Sequence, residues 1–104
     1  MVKSMDVQEL HEQLKTDNNL LIVDVREQAE WDEVRIPGAI LLPLSELEAR
    51  FAELPKDKAL ILQCRSGRRS LTAGHFLAEQ GYTDLTNLEG GILAWMDEGY
   101  DVIE

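Results

Sequence analysis

The only cysteine of this 104-residue chain, Cys64, lies in a short stretch whose residue types suit nucleophilic chemistry. The stretch follows an apolar run, 59–62, precedes a helical pattern, 71–78, and reads Gln63-Cys64-Arg65-Ser66-Gly67-Arg68-Arg69-Ser70. At a turn from a strand into a helix, unpaired backbone N–H groups and the positive end of the helix dipole attract anions. A thiol placed there should lose its proton readily, because those donors and the neighbouring guanidinium groups stabilise the thiolate.

The charge pattern sets this stretch apart from the rest of the chain. The formal net charge is −10, which argues against nucleic acid or an anionic membrane as a general partner. Between Lys58 and Ala78, however, there is no Asp or Glu, whereas the same window holds Lys58, Arg65, Arg68 and Arg69. This clustering indicates either a local anion site or simply a strand and helix that are poor in acids.

Anion capture is a second chemistry that the stretch could perform. Arg65, Arg68 and Arg69 offer guanidinium donors, and Ser66 with Gly67 allows the backbone to curl so that several N–H groups converge. Gly67 would supply a positive φ if the turn requires one. The alternative is an ordinary capped helix start with solvated arginines.

No general base is needed if the turn lowers the cysteine pKa into the range of about 3.5–7.5. The two histidines, His11 and His75, fall within predicted helices, so we expect them to be surface or packing residues. With a single cysteine, an intramolecular disulfide is excluded, and Cys64 is either a small buried residue or a reactive thiol.

Composition predicts one globular domain covering residues 1–104. An apolar share of 44% with 29% charged residues is typical of soluble proteins. The first residues have no basic flank followed by an apolar run, and no segment approaches the ~20 apolar residues that span a bilayer. We therefore expect a cytoplasmic protein.

Strand patterns alternate with helix patterns along the chain. The predicted strands are residues 20–23, 39–42, 59–63 and 84–88. The predicted helices are 7–15 (capped by Asp6), 27–34, 46–51 (capped by Ser45), the helix from the cysteine turn to about Gln80, and a last one ending near Gly99. The alternation predicts an α/β fold with a small parallel sheet of about four to five strands, flanked by helices on both faces.

Two charged residues follow the apolar strand 20–23. Asp24 and Arg26 lie at its carboxyl end, where ligands bind in open α/β sheets, so they are candidate supporting residues of the site. They could equally form an ion-paired scaffold that includes Glu89. Trp31 and Trp95 are predicted to serve in packing.

Four motifs in the same order resemble those of the rhodanese-like sulfurtransferases. They are residues 21–27 (LIVDVRE), 36–39 (IPGA), 64–70 (CRSGRRS), and 87–92 with 94–95 (NLEGGI and AW). The resemblance covers nearly the whole chain. It departs from the family pattern at Val34-Arg35, where the family commonly has Gly-His, and at Arg68, where asparagine is frequent.

The resemblance implies covalent sulfur transfer without a metal or organic cofactor. Cys64 would take a sulfane sulfur from a small anionic donor such as thiosulfate and pass it to cyanide or a thiol. Residues Arg65, Ser66, Gly67, Arg68, Arg69 and Ser70 would bind the substrate. Alternatives are a persulfide carrier between protein partners and a non-catalytic interaction module, which the presence of the cysteine disfavours.

Loop length distinguishes sulfur transfer from phosphate chemistry. Phosphatases that share this fold have a cysteine loop one residue longer, with an arginine six positions after the cysteine. In this chain that position is Ser70, and Arg69 comes one residue earlier. The count favours sulfur transfer.

Overall fold

A five-stranded parallel sheet forms the centre of the computed structural model, which describes residues 1–104. The strands are β1 (Val2–Met5), β2 (Leu20–Asp24), β3 (Ile40–Leu41), β4 (Ala59–Gln63) and β5 (Leu85–Leu88). Their order across the sheet is β1-β5-β4-β2-β3, and every neighbouring pair is parallel. The predicted α/β fold is therefore confirmed.

Helices cover both faces of this sheet. They are α1 (Val7–Gln13), α2 (Gln28–Glu33), α3 (Leu44–Arg50), α4 (Arg68–Glu79) and α5 (Gly91–Asp97), with a 3-10 turn at Phe51–Glu53. One face packs against α3 and α4, and the other packs against α1 and α5. None of these helices is both long and apolar enough to cross a membrane.

The central strand β4 is buried on both faces, which explains its uninterrupted apolar sequence. Leu62 lies in the core with Ala73 and Leu77 of α4, whereas Ile61 lies on the other face with Trp95 of α5. Each such side chain contributes roughly 1.5–3 kcal/mol of burial free energy. The strand is thus held firmly where it ends, immediately before Cys64.

The structure contains a strand that the sequence pattern does not predict. β1 pairs with β5 at the sheet edge, in a register that places Val2 beside Leu85 and Met5 beside Leu88. Lys3 and Ser4 between them are exposed. An edge strand with polar residues has no apolar run to mark it, because only part of it is buried.

Several predicted boundaries shift by one or two residues, and one predicted cap is absent. Helix α1 ends at Gln13 rather than at residue 15, since Leu14 caps it. Helix α3 begins at Leu44, directly after Pro43, rather than at residue 46. Ser45 does not cap it, because its hydroxyl donates to the carboxylate of Glu27 at 2.8 and 3.0 Å.

The two tryptophans differ in burial. Trp95 is buried, as predicted, and its indole N–H donates to the carbonyl of Asp101 at 2.7 Å. Trp31 is only half-buried, and helix α2 has no fully buried residue. The guanidinium of Arg35 lies 5.1 Å from the Trp31 ring centre, so this tryptophan packs against a cation rather than anchoring the core.

Candidate functional site

The segment from Cys64 to Ser70, here called the Cys64 loop, connects the end of β4 to the first turn of α4. Its backbone turns sharply at Gly67, which has φ +102° and precedes the first residue of α4. A Cβ on Gly67 would lie 3.3 Å from the carbonyl oxygen of Leu88 and 3.4 Å from the amide nitrogen of Gly90. The predicted positive φ is confirmed and favours glycine here, and a Cβ would also make tight contacts with these two atoms.

The sulfur of Cys64 is buried and surrounded by hydrogen-bond donors. The Gly67 N–H donates to Sγ at 3.1 Å and the Ser70 N–H at 3.4 Å. The Ser70 hydroxyl lies 3.4 Å from the same sulfur. Burial alone would raise the pKa of the Cys64 thiol, but the Ser70 hydroxyl and the loop amides outweigh it and lower the pKa below its ordinary value. The loop therefore favours an anionic sulfur.

Helix α5 positions the loop from its other side. The Ile92 N–H donates to the carbonyl of Cys64 at 2.9 Å, and the Leu93 N–H donates to the carbonyl of Arg65 at 3.1 Å. These two bonds orient the first two carbonyls of the loop toward α5 and so fix the start of the loop. Gly91 permits this close approach, since a Cβ there would lie 2.4 Å from the Cys64 carbonyl oxygen.

Ser70 and Asn87 tie the loop to β5. The Ser70 hydroxyl donates to Asn87 Oδ1 at 2.5 Å, and Asn87 Nδ2 donates to the Gly67 carbonyl at 3.1 Å. Both side chains are buried. On the neighbouring strand, Gln63 Nε2 donates to the Cys64 carbonyl at 2.7 Å, while its buried Oε1 has no protein partner. Neither Asn87 nor Gln63 is among the site residues predicted from the sequence.

The three loop arginines are not equivalent. Arg69 forms a two-pronged ion pair with Glu30 of α2, at 2.7 and 2.9 Å. Arg65 and Arg68 are exposed, and their side chains have no partner. Glu30 of α2 therefore neutralises one of the three positive charges of the loop. The other two guanidinium groups remain available to an anion. The contributions that most lower the pKa of Cys64 come from hydrogen-bond donors rather than from these cations.

The ion pair with Arg69 lowers the pKa of Glu30 from 4.5 to about 2. Its contribution to stability is thus present above pH 4.5 and is lost as the pH falls toward 2. We expect Glu30→Gln to lower the free energy of unfolding by about 1 kcal/mol at pH 7, because both side chains are partly exposed. The difference from the wild type should shrink below pH 4.5 in denaturant titrations.

Glu33→Gln is the matched control for this prediction. Glu33 lies on the same helix and forms no ion pair, so its substitution should have little effect at any of these pH values. Glutamine at position 30 can still accept the hydrogen bond from the Glu27 N–H. The substitution therefore removes the negative charge while keeping this hydrogen bond. A loss that is the same at pH 7 and pH 2 would contradict the prediction.

Asp24 and Arg26 form a buried ion pair. Arg26 Nη2 lies 2.7 Å from Asp24 Oδ2, and the two side chains are 4% and 0% exposed. The same guanidinium nitrogen donates to the Val34 carbonyl at 2.6 Å. This geometry favours the scaffold interpretation. The inclusion of Glu89 is wrong, because that carboxylate accepts a hydrogen bond from the Ser4 hydroxyl instead.

The unusual Val34-Arg35 pair attaches the C-terminal segment. The Arg35 N–H donates to the Ile103 carbonyl at 2.9 Å, and the Ile103 N–H donates back at 2.8 Å. Any residue except proline could form these backbone bonds, so only the contact of the guanidinium with Trp31 is specific to arginine here.

The two histidines lie apart from the loop contacts. His11 stacks on Tyr100 with ring centres 3.9 Å apart, and His75 is exposed on α4. Neither forms a hydrogen bond with Cys64, in agreement with the expected surface or packing roles. The structure brings no three His, Cys, Asp or Glu side chains together as metal ligands.

A groove of about 210 Å³ lies beside the loop, between α2 and α5. Its floor and walls include Arg65 together with Leu93 and Met96, which are 38% and 37% exposed. Glu30 and Glu33 form the opposite side. A larger cavity of about 290 Å³ lies elsewhere and contains no loop residue.

Known proteins are similar to this chain in both sequence and fold. A match to the rhodanese-like domain spans residues 6–98. A sulfurtransferase of Allochromatium vinosum is 39% identical over 103 residues, which cover 99% of this chain and 96% of that protein. The putative sulfur carrier protein YrkF of Bacillus subtilis is 32% identical over 90% of this chain, but the match covers only 51% of YrkF.

Solved structures agree with these matches. The crystal structure of a rhodanese-related protein from Thermoplasma volcanium is 35% identical to this chain, covers 97% of it, and is itself covered to 97%. The TM-score of the superposition is 0.89. On sequence and structure alike, this chain belongs to the rhodanese-like family, whose relatives named above include a sulfurtransferase.

Proposed function

We propose that this protein transfers a sulfane sulfur from a small anionic donor such as thiosulfate to a thiophilic acceptor, cyanide or a thiol. Cys64 carries the sulfur as a persulfide between the two steps. The observation that carries the proposal is the arrangement of loop donors around a buried Sγ, with the Gly67 N–H at 3.1 Å. Such donors stabilise an anionic sulfur, whether thiolate or persulfide.

The chemistry consists of two displacements at sulfur. The Cys64 thiolate attacks the outer sulfur of thiosulfate, the S–S bond of thiosulfate breaks, and sulfite leaves with the bonding electron pair. The acceptor then attacks the terminal sulfur of the persulfide, and Cys64 leaves as the thiolate. The proposed scheme requires no metal or organic cofactor, because the donor itself supplies sulfur in the required oxidation state.

The two unpaired guanidinium groups at the loop support an anionic donor. Arg65 and Arg68 are exposed and unpaired at the loop, so they can attract thiosulfate and stabilise the departing sulfite. They do so on a molecule with a formal net charge of −10, which would otherwise repel such a donor.

Intact mass measurement after incubation with thiosulfate tests the proposal. The wild-type protein should gain one sulfur atom, and cyanide should then remove it. A Cys64→Ala variant should show no gain. A wild type that never gains sulfur, or an alanine variant that gains it equally, would refute the proposal.

Arg68→Asn should raise KM for thiosulfate by about 3- to 10-fold, with a smaller effect on kcat. The reason is that an exposed, unpaired cation contributes on the order of 1 kcal/mol to the binding of a small anion. The salt dependence of kcat/KM should also weaken, because one charge that attracts the donor has been removed. Steady-state kinetics at several ionic strengths measure both effects.

Lys58→Asn provides the matched control. Lys58 is also exposed and unpaired, but it precedes the amino end of β4, whereas the loop follows its carboxyl end. The control variant has the same net charge as Arg68→Asn without a change at the loop. Equal effects of the two substitutions, or unchanged KM and salt dependence in Arg68→Asn, would exclude a local role for Arg68.

A second candidate function is persulfide delivery to a protein acceptor. The groove between α2 and α5 supports it, because exposed Leu93 and Met96 there adjoin the unpaired Arg65. Apolar side chains beside a free cation suit a partner with an apolar residue next to an acidic one. Met96→Glu should slow sulfur transfer to such a protein acceptor while leaving transfer to cyanide unchanged; equal slowing of both would count against this function.

A further inference from the structure

Four residues around the sulfur form a closed ring of hydrogen bonds. Cys64 Sγ contacts the Ser70 hydroxyl, Ser70 donates to Asn87 Oδ1, Asn87 Nδ2 donates to the Gly67 carbonyl, and the Gly67 N–H donates back to Sγ. The four heavy-atom distances are 3.4, 2.5, 3.1 and 3.1 Å in that order. Asn87 is the one member that lies outside the loop, on β5.

The direction of two of these bonds follows from chemistry. The Gly67 carbonyl can only accept, so the Asn87 amide must turn its Nδ2 toward it. Asn87 Oδ1 then faces Ser70 and can only accept. A serine hydroxyl has a single proton, so Ser70 cannot donate to Asn87 and to the sulfur at the same time.

The ring therefore has two proton arrangements. When Cys64 is a thiol, its S–H donates to the Ser70 oxygen, and the Ser70 proton remains on the bond to Asn87. When Cys64 is a thiolate, the sulfur can only accept. In one arrangement, Ser70 turns its proton to the sulfur, and the buried Asn87 Oδ1 loses its hydrogen bond. In the other, Ser70 keeps its proton on the bond to Asn87, and the lone pairs of its oxygen face the negatively charged sulfur. Either choice costs free energy.

We propose that Asn87 is a positioning residue that competes with Cys64 for the single Ser70 proton and so limits how strongly the loop stabilises the thiolate. The inference deepens the proposed function, since it matters only where Cys64 attacks a sulfur donor. The intrinsic nucleophilicity of a thiolate falls as its pKa falls, and the best attacking thiol has a pKa near the ambient pH. Asn87 thus balances the loop amides and keeps the thiolate reactive as well as populated.

The charged groups near the ring come from three elements and the loop itself. Two are ion pairs: Asp24 at the end of β2 with Arg26, and Glu30 of α2 with Arg69. The others are Glu89, which follows β5, and the exposed Arg65 and Arg68. The test substitutions at positions 70 and 87 leave all of these groups in place. A shift in Cys64 titration in the uncharged variants therefore reports on the ring.

Ultraviolet absorbance of the thiolate as a function of pH tests the proposal without any sulfur substrate. Cys64 is the only cysteine, and the same titration of Cys64→Ala supplies the blank. We expect Asn87→Leu to lower the midpoint by about half a unit to one unit, because Ser70 becomes free to donate to the sulfur. Asn87→Asp retains an acceptor, now charged, and should raise the midpoint.

A Ser70→Ala background distinguishes proton ordering from a merely structural role. There, Asn87→Leu should no longer lower the midpoint, because no hydroxyl remains to be released. Loss of loop geometry would instead remove the amide donors and raise the midpoint in both Asn87 variants. A raised or unchanged midpoint in Asn87→Leu, or a lowered one that persists without Ser70, overturns the proposal.

Two points keep the test decisive. If Asn87→Leu does not fold, Asn87→Ala takes its place, since it removes the same acceptor without adding bulk. If the midpoints move as expected while the wild type never gains sulfur from thiosulfate, the proton ordering stands and the proposed donor chemistry fails.

Discussion

Replacing Cys64 with serine should lower kcat/KM for sulfur transfer from thiosulfate by on the order of 10⁴-fold or more. The hydroxyl is smaller than the thiol but can still donate and accept hydrogen bonds, and it remains protonated near neutral pH. It also cannot form a persulfide. Steady-state assays with cyanide as acceptor, together with intact mass after incubation with thiosulfate, would measure the loss.

Folding measurements must accompany this comparison, because Cys64 is only 1% exposed. A buried serine at this site would still find the Gly67 and Ser70 amides as donors. We therefore expect the free energy of unfolding to change by no more than about 1–2 kcal/mol. Transfer by the serine variant at a rate near that of the wild type would rule out Cys64 as the nucleophile.

Gly91→Ala should lower the free energy of unfolding by about 2–5 kcal/mol and reduce sulfur transfer with it. Gly91 has φ +58°, which costs a residue with a Cβ about 1–2 kcal/mol. The added Cβ would also lie 2.4 Å from the Cys64 carbonyl oxygen and 2.5 Å from that of Arg65. Relieving this overlap pushes α5 away from the loop, at a further cost of roughly 1–3 kcal/mol.

Gly99→Ala is the control that separates the steric overlap with the loop carbonyls from the free-energy cost of a positive φ. Gly99 also has a positive φ, +78°, but a Cβ there would have nothing within 4 Å. Denaturant unfolding should therefore show a loss of about 1–2 kcal/mol for Gly99→Ala, with normal persulfide formation. If the two variants lose the same stability and both retain transfer, the close approach of α5 does not support the loop.

The parts of the site that are local in sequence are the parts that sequence predicts well. A buried strand, a positive φ at Gly67 and a helix start follow one another within a few residues, and each has its own signal in residue type. The lowered thiol pKa follows from this order, because any cysteine at such a turn meets converging amides.

The remaining parts depend on residues that only the sheet topology brings together. Glu30 is 39 positions from Arg69, and Asn87 is 17 positions from Ser70. Nothing in the types of these residues distinguishes them from a surface acid or a strand amide. Their partners follow from the strand order β5-β4-β2, which places the carboxyl ends of β2 and β5 on either side of the loop.

Two errors in predicting the fold from the sequence have the same origin. Ser45 has the residue type of a helix cap, yet its hydroxyl donates a hydrogen bond to Glu27, 18 positions away. The segment 2–5 becomes a strand because β5 offers it a free edge, which a pattern of four residues cannot reveal. Local preference in both cases is overridden by a partner from elsewhere in the chain.

During synthesis, a growing chain contains Cys64 before it contains α5. Until residues 87–93 have been added, the carbonyls of Cys64 and Arg65 lack their helix donors, and Ser70 lacks Asn87. The loop then lacks the contacts that hold it from the side of β5 and α5. The part of the chain that is made last therefore completes the loop around its only cysteine.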